Sequence, residues 1–224
     1  MSSRSEGVVN TLGATNVAKS KRQDLDFYQT PSGAVQALVD KGLACKSIPV
    51  WEPMAGNGAI AKVLKQNGYN VMTSDIVKRK YELNFTGDFF EFNTFPDLDN
   101  IKHTAWSKTV PLDKCSWQII TNPPYNVADK FLVHCLRMKP KFLAVFLPVR
   151  YLEGIKRYKE IYSKYTPSDV IVFARRYGCY KESDIEAGKV NDHGIGSAVA
   201  YMWLCFTRQN SGDYCCETKL HFFY

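Results

Sequence analysis

Apolar and polar positions follow two different patterns along this chain. Short apolar runs bounded by turn-forming residues predict buried strands, and they lie at residues 48–51, 69–75, 117–120, 141–148, 168–174 and 198–206. Apolar residues with helical spacing predict helices at residues 31–42, from 59 to a stop at 67–68, at 127–138 and at 151–165. Strands that alternate with helices are typical of an α/β domain, and we predict that fold class, with a polar tail or short edge strand after Thr207.

Length and charge narrow this prediction. A chain of 224 residues fits one domain with a substantial core. Residues 1–23 are rich in Ser, Gly, Asn and Thr, and they predict a disordered basic arm before a single domain at residues 24–224. Lys and Arg exceed Asp and Glu by 29 to 22, which gives a formal charge of +7. This favours a polyanionic partner, although a basic surface can also serve solubility alone.

The cysteines indicate a reducing compartment. The seven thiols are scattered without a C-x-x-C pair, and the sequence shows neither a signal peptide nor a long apolar segment. We therefore expect reduced thiols in a cytoplasmic protein without a membrane partner. A metal site is not predicted, because the one close pair is Cys215-Cys216 and because His193 and His221 lack ligand spacing.

The segment Asn122-Pro123-Pro124-Tyr125 follows a predicted strand and precedes a predicted helix. Two prolines stiffen this corner and remove two N–H donors, so its exposed backbone groups are acceptors only. The Asn122 side-chain oxygen and the Pro123 carbonyl can then converge on one ligand amine, with the flat face of Tyr125 beside them. This arrangement suits alkylation of an exocyclic amine on a nucleobase. A simple turn is the alternative interpretation.

A second motif lies between two predicted strands. Gly56 and Gly58 allow the backbone to pass close to a ligand, and the helix that comes next favours an anionic group at its N-terminus. Asp75 lies 23 residues after Glu52, at the spacing of an acid that binds ribose hydroxyls. A third glycine is missing, which argues for an adenosyl ligand smaller than a dinucleotide.

Three other segments are candidates for the same site. Thr30-Pro31 begins a helix beside aromatic residues, and Asp88 could accept a hydrogen bond from an adenine amine while Phe89 or Phe90 flanks the ring. A capped helix and a turn with core phenylalanines are the plain alternatives. Basic residues alternate with aromatic ones after residue 174, and they are Arg175, Arg176, Tyr177, Tyr180 and Lys181. Tyr177 or Tyr180 could hold a base against Tyr125.

Taken together, these motifs resemble the amino-methyltransferases, specifically the S-adenosylmethionine-dependent enzymes that methylate adenine N6 in DNA. Phe27-Tyr28-Gln29-Thr30-Pro31 resembles the family's aromatic-x-x-Thr-Pro segment, residues 52–58 its methionine-binding loop, Asp75 its ribose acid, and Asp88-Phe89 its adenine clasp. Asn122-Pro123-Pro124-Tyr125 matches its catalytic signature. The motif order resembles that of the γ group and of small phage-type enzymes, which implies the cytoplasm of a bacterial or phage-infected cell.

The resemblance implies a Rossmann-like class I methyltransferase fold with a mostly parallel, seven-stranded sheet, a reversed last hairpin and helices on both faces. It implies S-adenosylmethionine as cofactor and a flipped-out adenine in DNA as target. The implied catalytic residues are Asn122, Pro123, Pro124 and Tyr125. The implied cofactor-binding residues are Tyr28, Thr30, Pro31, Glu52, Pro53, Met54, Ala55, Gly56, Gly58, Asp75, Ile76, Asp88, Phe89 and Asn122. The implied DNA-binding residues are Tyr125, Arg175, Arg176, Tyr177, Tyr180 and Lys181.

Other functions remain open at this point. RNA adenine methylation uses a similar corner, and glutamine methylation of a protein also requires a held amide nitrogen. Cytosine N4 methylation is less favoured, because those enzymes more often carry Ser at the Asn122 position. An inactive nucleic-acid-binding subunit of a larger complex is the non-enzymatic alternative. We expect no separate target-recognition domain, so that any sequence preference comes from the loops at 93–115 and 176–196.

Overall fold

The computed structural model describes residues 28–96, 116–191 and 199–224. Its strands in chain order are β1 (Tyr28–Gln29), β2 (Val50–Glu52), β3 (Val71–Asp75), β4 (Phe85–Thr86), β5 (Gln118–Thr121), β6 (Phe142–Pro148), β7 (Asp169–Phe173), β8 (Tyr180–Lys181), β9 (Tyr201–Thr207) and β10 (Lys219–Phe223). Its α-helices are α1 (Ser32–Asp40), α2 (Ala59–Gln66), α3 (Ala128–Met138), α4 (Ile155–Arg157) and α5 (Glu182–Glu186). The predicted arm, Phe27, most of the 93–115 loop and the end of the 176–196 loop lie outside the described residues.

Eight of these strands form one sheet in the order β10-β7-β9-β6-β5-β2-β3-β4. Neighbouring strands are parallel except at β9, which runs antiparallel to β6 and to β7. The predicted α/β class, with a mostly parallel sheet and a reversed last hairpin, is confirmed. The sheet has one strand more than the seven expected, because β10 pairs with β7 as an edge strand.

Helices cover both faces of this sheet, as predicted. On one face, α1 and α2 pack through Val35, Leu38, Ile60 and Leu64 into a core cluster that includes Trp203. On the other face, apolar residues of α3 pack with Trp51 and residues of β5 and β6. Burial of each such large apolar side chain stabilises the fold by roughly 1.5–3 kcal/mol, so the two apolar layers anchor the central strands.

The predicted helix at residues 151–165 is shorter and less regular than expected. A 3-10 turn covers Val149–Leu152, the backbone at Glu153 is extended, and α4 then continues as the π-helical turn Tyr158–Tyr162. The tyrosines of this segment also differ in burial, since Tyr151 is 4% exposed and Tyr158 is 62% exposed. Helical spacing therefore identified the segment but missed the break within it.

The strand order reverses direction at one place in the sheet. β2 lies between β3 and β5, so the connections after β3 and after β5 leave in opposite directions across the sheet. A crevice forms at the carboxyl ends of the strands where the order reverses in this way. Glu52, Asp75 and Thr121 end β2, β3 and β5 at that position.

Among the described residues, none of the helices combines the length and apolarity needed to cross a bilayer. Over the same ranges, no three His, Cys, Asp or Glu side chains gather as metal ligands.

Candidate active site

A cavity of about 270 Å³ lies at the carboxyl ends of β2, β3 and β5. Thirteen predicted site residues line it, namely Tyr28, Thr30, Glu52, Pro53, Met54, Ala55, Asp75, Ile76, Asp88, Phe89, Asn122, Pro123 and Pro124. Four further residues predicted for catalysis or cofactor binding adjoin these in the sequence but do not line the described cavity, and they are Pro31, Gly56, Gly58 and Tyr125. Segments that are far apart in sequence thus meet at one edge of the sheet.

The side chain of Asn122 is held at this edge by β1. Its Nδ2 donates to the Tyr28 carbonyl oxygen and to the Thr30 hydroxyl oxygen, each at 3.0 Å. Its Oδ1 is buried and accepts no hydrogen bond from the described residues. The amide therefore faces Tyr28 and Thr30 with its Nδ2 donor, and its Oδ1 acceptor could accept a hydrogen bond from a ligand.

The two prolines after Asn122 give the corner its rigidity. The Pro124 carbonyl accepts a hydrogen bond from Val127 N–H at 3.1 Å, which closes a turn into α3. The Pro123 carbonyl accepts none from the described part of the chain. Because neither proline has an N–H group, the polar backbone atoms of this pair are acceptors only, as the sequence predicts.

Three residues that line the cavity each hold a buried oxygen that finds no donor in the described chain. These atoms are Glu52 Oε2, Asn57 Oδ1 and Asn122 Oδ1. A buried acceptor without a partner is costly and calls for an explanation such as a bound group. A ligand that donates hydrogen bonds or carries positive charge would satisfy them.

Glu52 is the most deeply buried charged residue of the site, with 1% of its surface exposed. Burial raises the pKa of its carboxyl well above the usual range, against a hydrogen bond from the Ala61 backbone, and repulsion from Asp75 raises that pKa further. A cation bound beside Glu52 would favour the charged carboxylate. An ammonium or sulfonium group bound there would therefore lower the pKa of Glu52 again.

Asp75 holds the glycine-rich loop in place. Its Oδ2 accepts from Gly56 N–H at 2.8 Å, and its Oδ1 accepts from Val77 N–H at 2.9 Å. Each carboxylate oxygen can accept a further hydrogen bond, so these contacts leave room for the predicted ribose hydroxyls. The neighbouring Ile76 lines the cavity with 56% of its surface exposed, and it offers an apolar surface to a planar ring.

The Asp88 segment is a cap as well as a cavity wall. Asp88 Oδ1 accepts from Phe90 N–H at 2.9 Å and begins the 3-10 turn Phe89–Glu91. Phe89 is 3% exposed and packs against Trp51 at 5.3 Å between ring centroids. Both predicted phenylalanines line the cavity, but Phe89 is largely a core residue, and Phe90 is the more exposed of the two.

The Tyr125 ring packs against aromatic residues of the fold. This ring stacks on Tyr28, with centroids 5.8 Å apart and 18° between the planes, and it also contacts Tyr201 at 6.1 Å. The Tyr125 hydroxyl lies 3.5 Å from Cys179 Sγ. Burial raises the pKa of Tyr125 well above its usual range, so the hydroxyl remains protonated.

The prediction that Tyr177 or Tyr180 holds a base against Tyr125 is wrong. Tyr177 is 7% exposed and packs edge-on against Phe173 in the core, with ring centroids 4.7 Å apart. Tyr180 is fully buried, and its hydroxyl donates to the Asn191 carbonyl oxygen at 2.8 Å. The alternating pattern concealed this difference, because both aromatic rings turn into the fold while Arg175, Arg176 and Lys181 remain exposed.

No protein-family model and no curated protein sequence matches this chain. Solved structures do resemble it. A modification subunit assigned to a type I restriction enzyme from Vibrio vulnificus matches with a TM-score of 0.50 and 16% identity, over 84% of this chain and 46% of that one. A methyltransferase subunit of a type I restriction-modification system from Streptococcus thermophilus matches with a TM-score of 0.50 and 10% identity, over 83% of this chain and 45% of that one. This chain therefore spans less than half the length of either subunit.

A third similar structure, assigned as an RNA methyltransferase from Pyrococcus horikoshii, matches with a TM-score of 0.50 and 15% identity, over 82% of this chain and 88% of that one. The chain has the class I methyltransferase fold. In this fold the cavity described above lies at the strand-order reversal, where the crevice of an open α/β sheet is expected.

The methyltransferase fold brings to the site residues that sequence reasoning did not single out. Gln29, Asn57 and Arg79 line the cavity, and Asn57 Nδ2 donates to Gln29 Oε1. Gln29 lies within the predicted segment 27–31 and Asn57 within the predicted loop 52–58, so their places in these motifs could have indicated that they belong to the site. Other added lining residues are Ala59, Ile60, Val77, Asn126 and Val127.

Cys179 contacts the Asn122–Tyr125 corner, and nothing in the sequence predicted this contact. Its Sγ lies 3.5 Å from the Tyr125 hydroxyl and 3.8 Å from Asn122 Nδ2. Burial raises the pKa of the Cys179 thiol to about 11, although hydrogen bonds from Tyr125 and Asn122 oppose this. The thiol is therefore protonated at neutral pH and packs against the corner rather than acting as a nucleophile.

The structure gives a different reason for Gly58 than the sequence analysis did, which assigned this glycine to close approach of a ligand. It precedes α2 with φ of +75°, and a Cβ atom there would lie 2.4 Å from ring atoms of Tyr81. The space that Gly58 leaves is therefore occupied by Tyr81. Lys62 and Lys65 lie near the same ring at 5.4 and 5.6 Å from its centroid.

Proposed function

We propose that this protein is an enzyme that transfers a methyl group from S-adenosylmethionine to the N6 amine of adenine in DNA. One observation carries the proposal: the buried Asn122 Oδ1 has no partner in the described chain, and Asn122 lines the cavity together with the next residue, Pro123, whose backbone can only accept. Two hydrogen-bond acceptors suit the adenine N6 amine, which has two hydrogens to donate. They suit less well a nucleophile that a strong base must first deprotonate.

The cavity residues fit the cofactor by their chemistry. S-adenosylmethionine supplies an electrophilic methyl group on a positively charged sulfur, and it also carries an ammonium group. Glu52 Oε2 is a buried acceptor in the cavity that would be satisfied by the ammonium. Asp75 would accept hydrogen bonds from the ribose hydroxyls, and Asp88 from the adenine amine, while Ile76 would pack on the adenine ring.

Asn122 and Pro123 would act on the target base. The lone pair of an exocyclic amine is delocalised into the purine ring, so the amine is a weak nucleophile when it is planar. Hydrogen bonds from both amine hydrogens to Asn122 Oδ1 and the Pro123 carbonyl favour the pyramidal form, whose lone pair can attack. The nitrogen becomes acidic only after alkylation and then loses its extra proton, so the corner needs no strong base.

Positive charge favours a nucleic-acid target over a protein target, and DNA is the nucleic acid that the resemblance of the motifs implies. A target inside a duplex must be flipped out of the stack before it can reach such a cavity. Arg175, Arg176 and Lys181 are exposed. The two arginines follow the carboxyl end of β7, and Lys181 lies opposite the cavity-lining Tyr28 of β1 at this edge. Positive side chains at this edge fit a phosphate backbone, and the formal charge of +7 agrees with this. We therefore propose these three residues as backbone contacts.

RNA is the second candidate, since one structure with the same fold is assigned as an RNA methyltransferase and since the Asn122 corner suits any adenine amine. The experiment supplies labelled cofactor with mixed-sequence DNA, RNA or protein extract, and then identifies the methylated product by chromatography. We expect N6-methyladenine in DNA, and loss of that product in Asn122→Ala. Asn210→Ala is the matched control, because Asn210 is exposed and bonds to Lys141 far from the site.

Methylation of RNA alone would move the target from DNA to RNA. Methylated glutamine in protein would overturn the nucleic-acid target, and full activity in Asn122→Ala would overturn the role of the corner. An inactive binding subunit would give no methylated product with any substrate. Titration calorimetry with S-adenosylmethionine then shows whether such a chain still binds the cofactor.

A further inference from the structure

The orientation of the Asn122 amide is fixed by an atom that cannot donate. The Tyr28 carbonyl oxygen lies 3.0 Å from the amide and has no hydrogen, so the amide must face it with Nδ2 rather than with Oδ1. The second hydrogen of Nδ2 goes to Thr30 Oγ1, also at 3.0 Å. Cys179 Sγ, at 3.8 Å, is a third and more distant acceptor for the same Nδ2 group. All three contacts are made by the donor end of the amide, so Oδ1 is the part that remains for a ligand.

We propose that Thr30 is a positioning residue for methyl transfer, which acts through Asn122. Its hydroxyl accepts the second Nδ2 hydrogen and, together with the Tyr28 carbonyl, holds the amide with its acceptor toward the target amine. This inference rests on the proposed function. If the amide rotated by half a turn, it would present hydrogens to the hydrogens of the substrate amine. The corner would then repel the group that it has to hold.

A plain structural role does not account for the Thr30 hydroxyl. Thr30 precedes α1, but Pro31 is the N-cap residue, and this helix start has no hydrogen bond from a capping side chain. Thr30 is 2% exposed, and its hydroxyl meets the Asn122 amide across 92 positions of sequence. The hydroxyl therefore serves Asn122 and not the adjacent helix.

β1 is itself held from two sides, which makes it a firm support for the amide. It pairs antiparallel with β8, where Tyr28 lies opposite Lys181 and Gln29 lies opposite the buried Tyr180. On the other side, the Gln29 side chain accepts a hydrogen bond from Asn57 of the glycine-rich loop. The segment thus joins the cofactor loop to the catalytic corner.

The test compares Thr30→Val, which keeps the shape and removes the hydroxyl, with Thr30→Ser, which keeps the hydroxyl. For Thr30→Val we expect kcat to fall roughly ten- to one-hundredfold, with KM for DNA and Kd for S-adenosylmethionine near wild type, because a buried hydrogen bond that orients the Asn122 amide is removed. Thr30→Ser should restore most of kcat. Thr218→Val is the matched control, since the Thr218 hydroxyl bonds to the Pro167 carbonyl away from the site.

A second readout does not depend on activity. In the NMR spectrum of the wild type, the Asn122 side-chain amide protons, assigned by their loss in Asn122→Asp, should exchange slowly with solvent, and in Thr30→Val they should exchange faster. Wild-type kcat in Thr30→Val, or a change confined to cofactor Kd, would overturn the positioning role. An inactive wild type with slow amide exchange would overturn the proposed function and leave the Asn122 hydrogen bonds established, so the two failures are distinguishable.

Discussion

The rings of Tyr28 and Tyr125 lie nearly parallel, with centroids 5.8 Å apart and 18° between their planes. One ring belongs to β1 and the other to the Asn-Pro-Pro-Tyr corner, so the stack fastens the corner to the segment that also holds Asn122. The sequence predicted that Tyr177 or Tyr180 holds a target base against Tyr125, whereas in the structure Tyr28 is the aromatic residue that stacks on Tyr125.

This stack makes a prediction about stability. Tyr28→Leu keeps much of the apolar volume but removes the ring, and we expect it to lower the free energy of unfolding by about 1 kcal/mol, the usual contribution of an aromatic pair. Methyl transfer should fall with it, because the corner loses support. Urea unfolding and a methylation assay measure the two effects. Tyr28→Phe retains the ring as control, and equal stability of the Leu and Phe variants would show that the stack contributes nothing.

Glu52 predicts an opposition between stability and binding. Its carboxyl is buried and unpartnered at Oε2, and burial raises its pKa, so Glu52→Gln removes a group whose ionised form costs free energy to bury. We expect a higher melting temperature at neutral pH, and cofactor binding weaker by roughly ten- to one-hundredfold, since a charged hydrogen bond contributes about 1.5–3 kcal/mol. Differential scanning calorimetry and titration calorimetry measure these. Glu217→Gln is the exposed control, and tighter cofactor binding in Glu52→Gln would contradict the assignment.

The same carboxyl predicts a pH dependence. Because burial raises its folded-state pKa above the unfolded value, the stability that neutral Glu52 gives is present at low pH and is lost as pH rises through the folded pKa. A cationic cofactor favours the ionised form, so binding should instead strengthen as pH rises over that window and release a proton. Calorimetry in buffers of different ionisation enthalpy detects this proton. In Glu52→Gln both pH trends should vanish, and a cofactor affinity that falls with rising pH would contradict them.

Gly58 and Gly68 form a natural comparison, because both have positive φ but only Gly58 is covered. Gly68→Ala meets open space and should cost only the strain of a left-handed residue, about 1–2 kcal/mol. Gly58→Ala adds a clash with the Tyr81 ring at 2.4 Å and should cost clearly more. It should also displace the loop that Asp75 holds and weaken cofactor binding. Urea unfolding of the two variants gives the comparison, and equal destabilisation would show that Tyr81 yields freely.

The exposed arginines after β7 predict a salt effect. Replacing Arg175 and Arg176 together by Gln should weaken DNA binding for all sequences alike and reduce the slope of log K against log salt by about 1 for each phosphate that is no longer neutralised. Arg137→Gln is the matched control, since Arg137 is exposed in the last turn of α3 at the opposite edge of the sheet. Fluorescence anisotropy across salt concentrations measures the slope. An unchanged slope in the double variant would exclude these arginines from the interface.

Local chemistry made much of this site readable in advance. The Asn122-Pro123-Pro124 corner is stiff and acceptor-rich wherever it occurs, because proline fixes φ and lacks an N–H group. The strand before it and the helix after it are predicted by apolar periodicity, and the observed bounds of β5 and α3 differ from the predicted ones by one residue. Asp75 was likewise found from its position at the end of a predicted strand, 23 residues after Glu52.

Contacts between distant segments were not readable in this way. β1 and β8 have two residues each, too few for a periodic signal, yet their pairing brings residue 28 beside residue 181. The orientation of the Asn122 amide, the Tyr28 stack and the approach of Cys179 all depend on that pairing. The burial of Tyr177 and Tyr180 also depends on how the chain after β7 folds back.

The sequence by itself determined the order of the longer strands and helices, the α/β class and the acceptor character of the corner, since these depend on neighbouring residues and on the covalent structure of proline. Only the tertiary structure decided which aromatic ring meets Tyr125, which face of the Asn122 amide is available and which tyrosines are buried. Each of those features depends on the packing of segments that are tens of residues apart in sequence. The free energy of such packing depends on how two surfaces fit together, which a local sequence pattern does not specify.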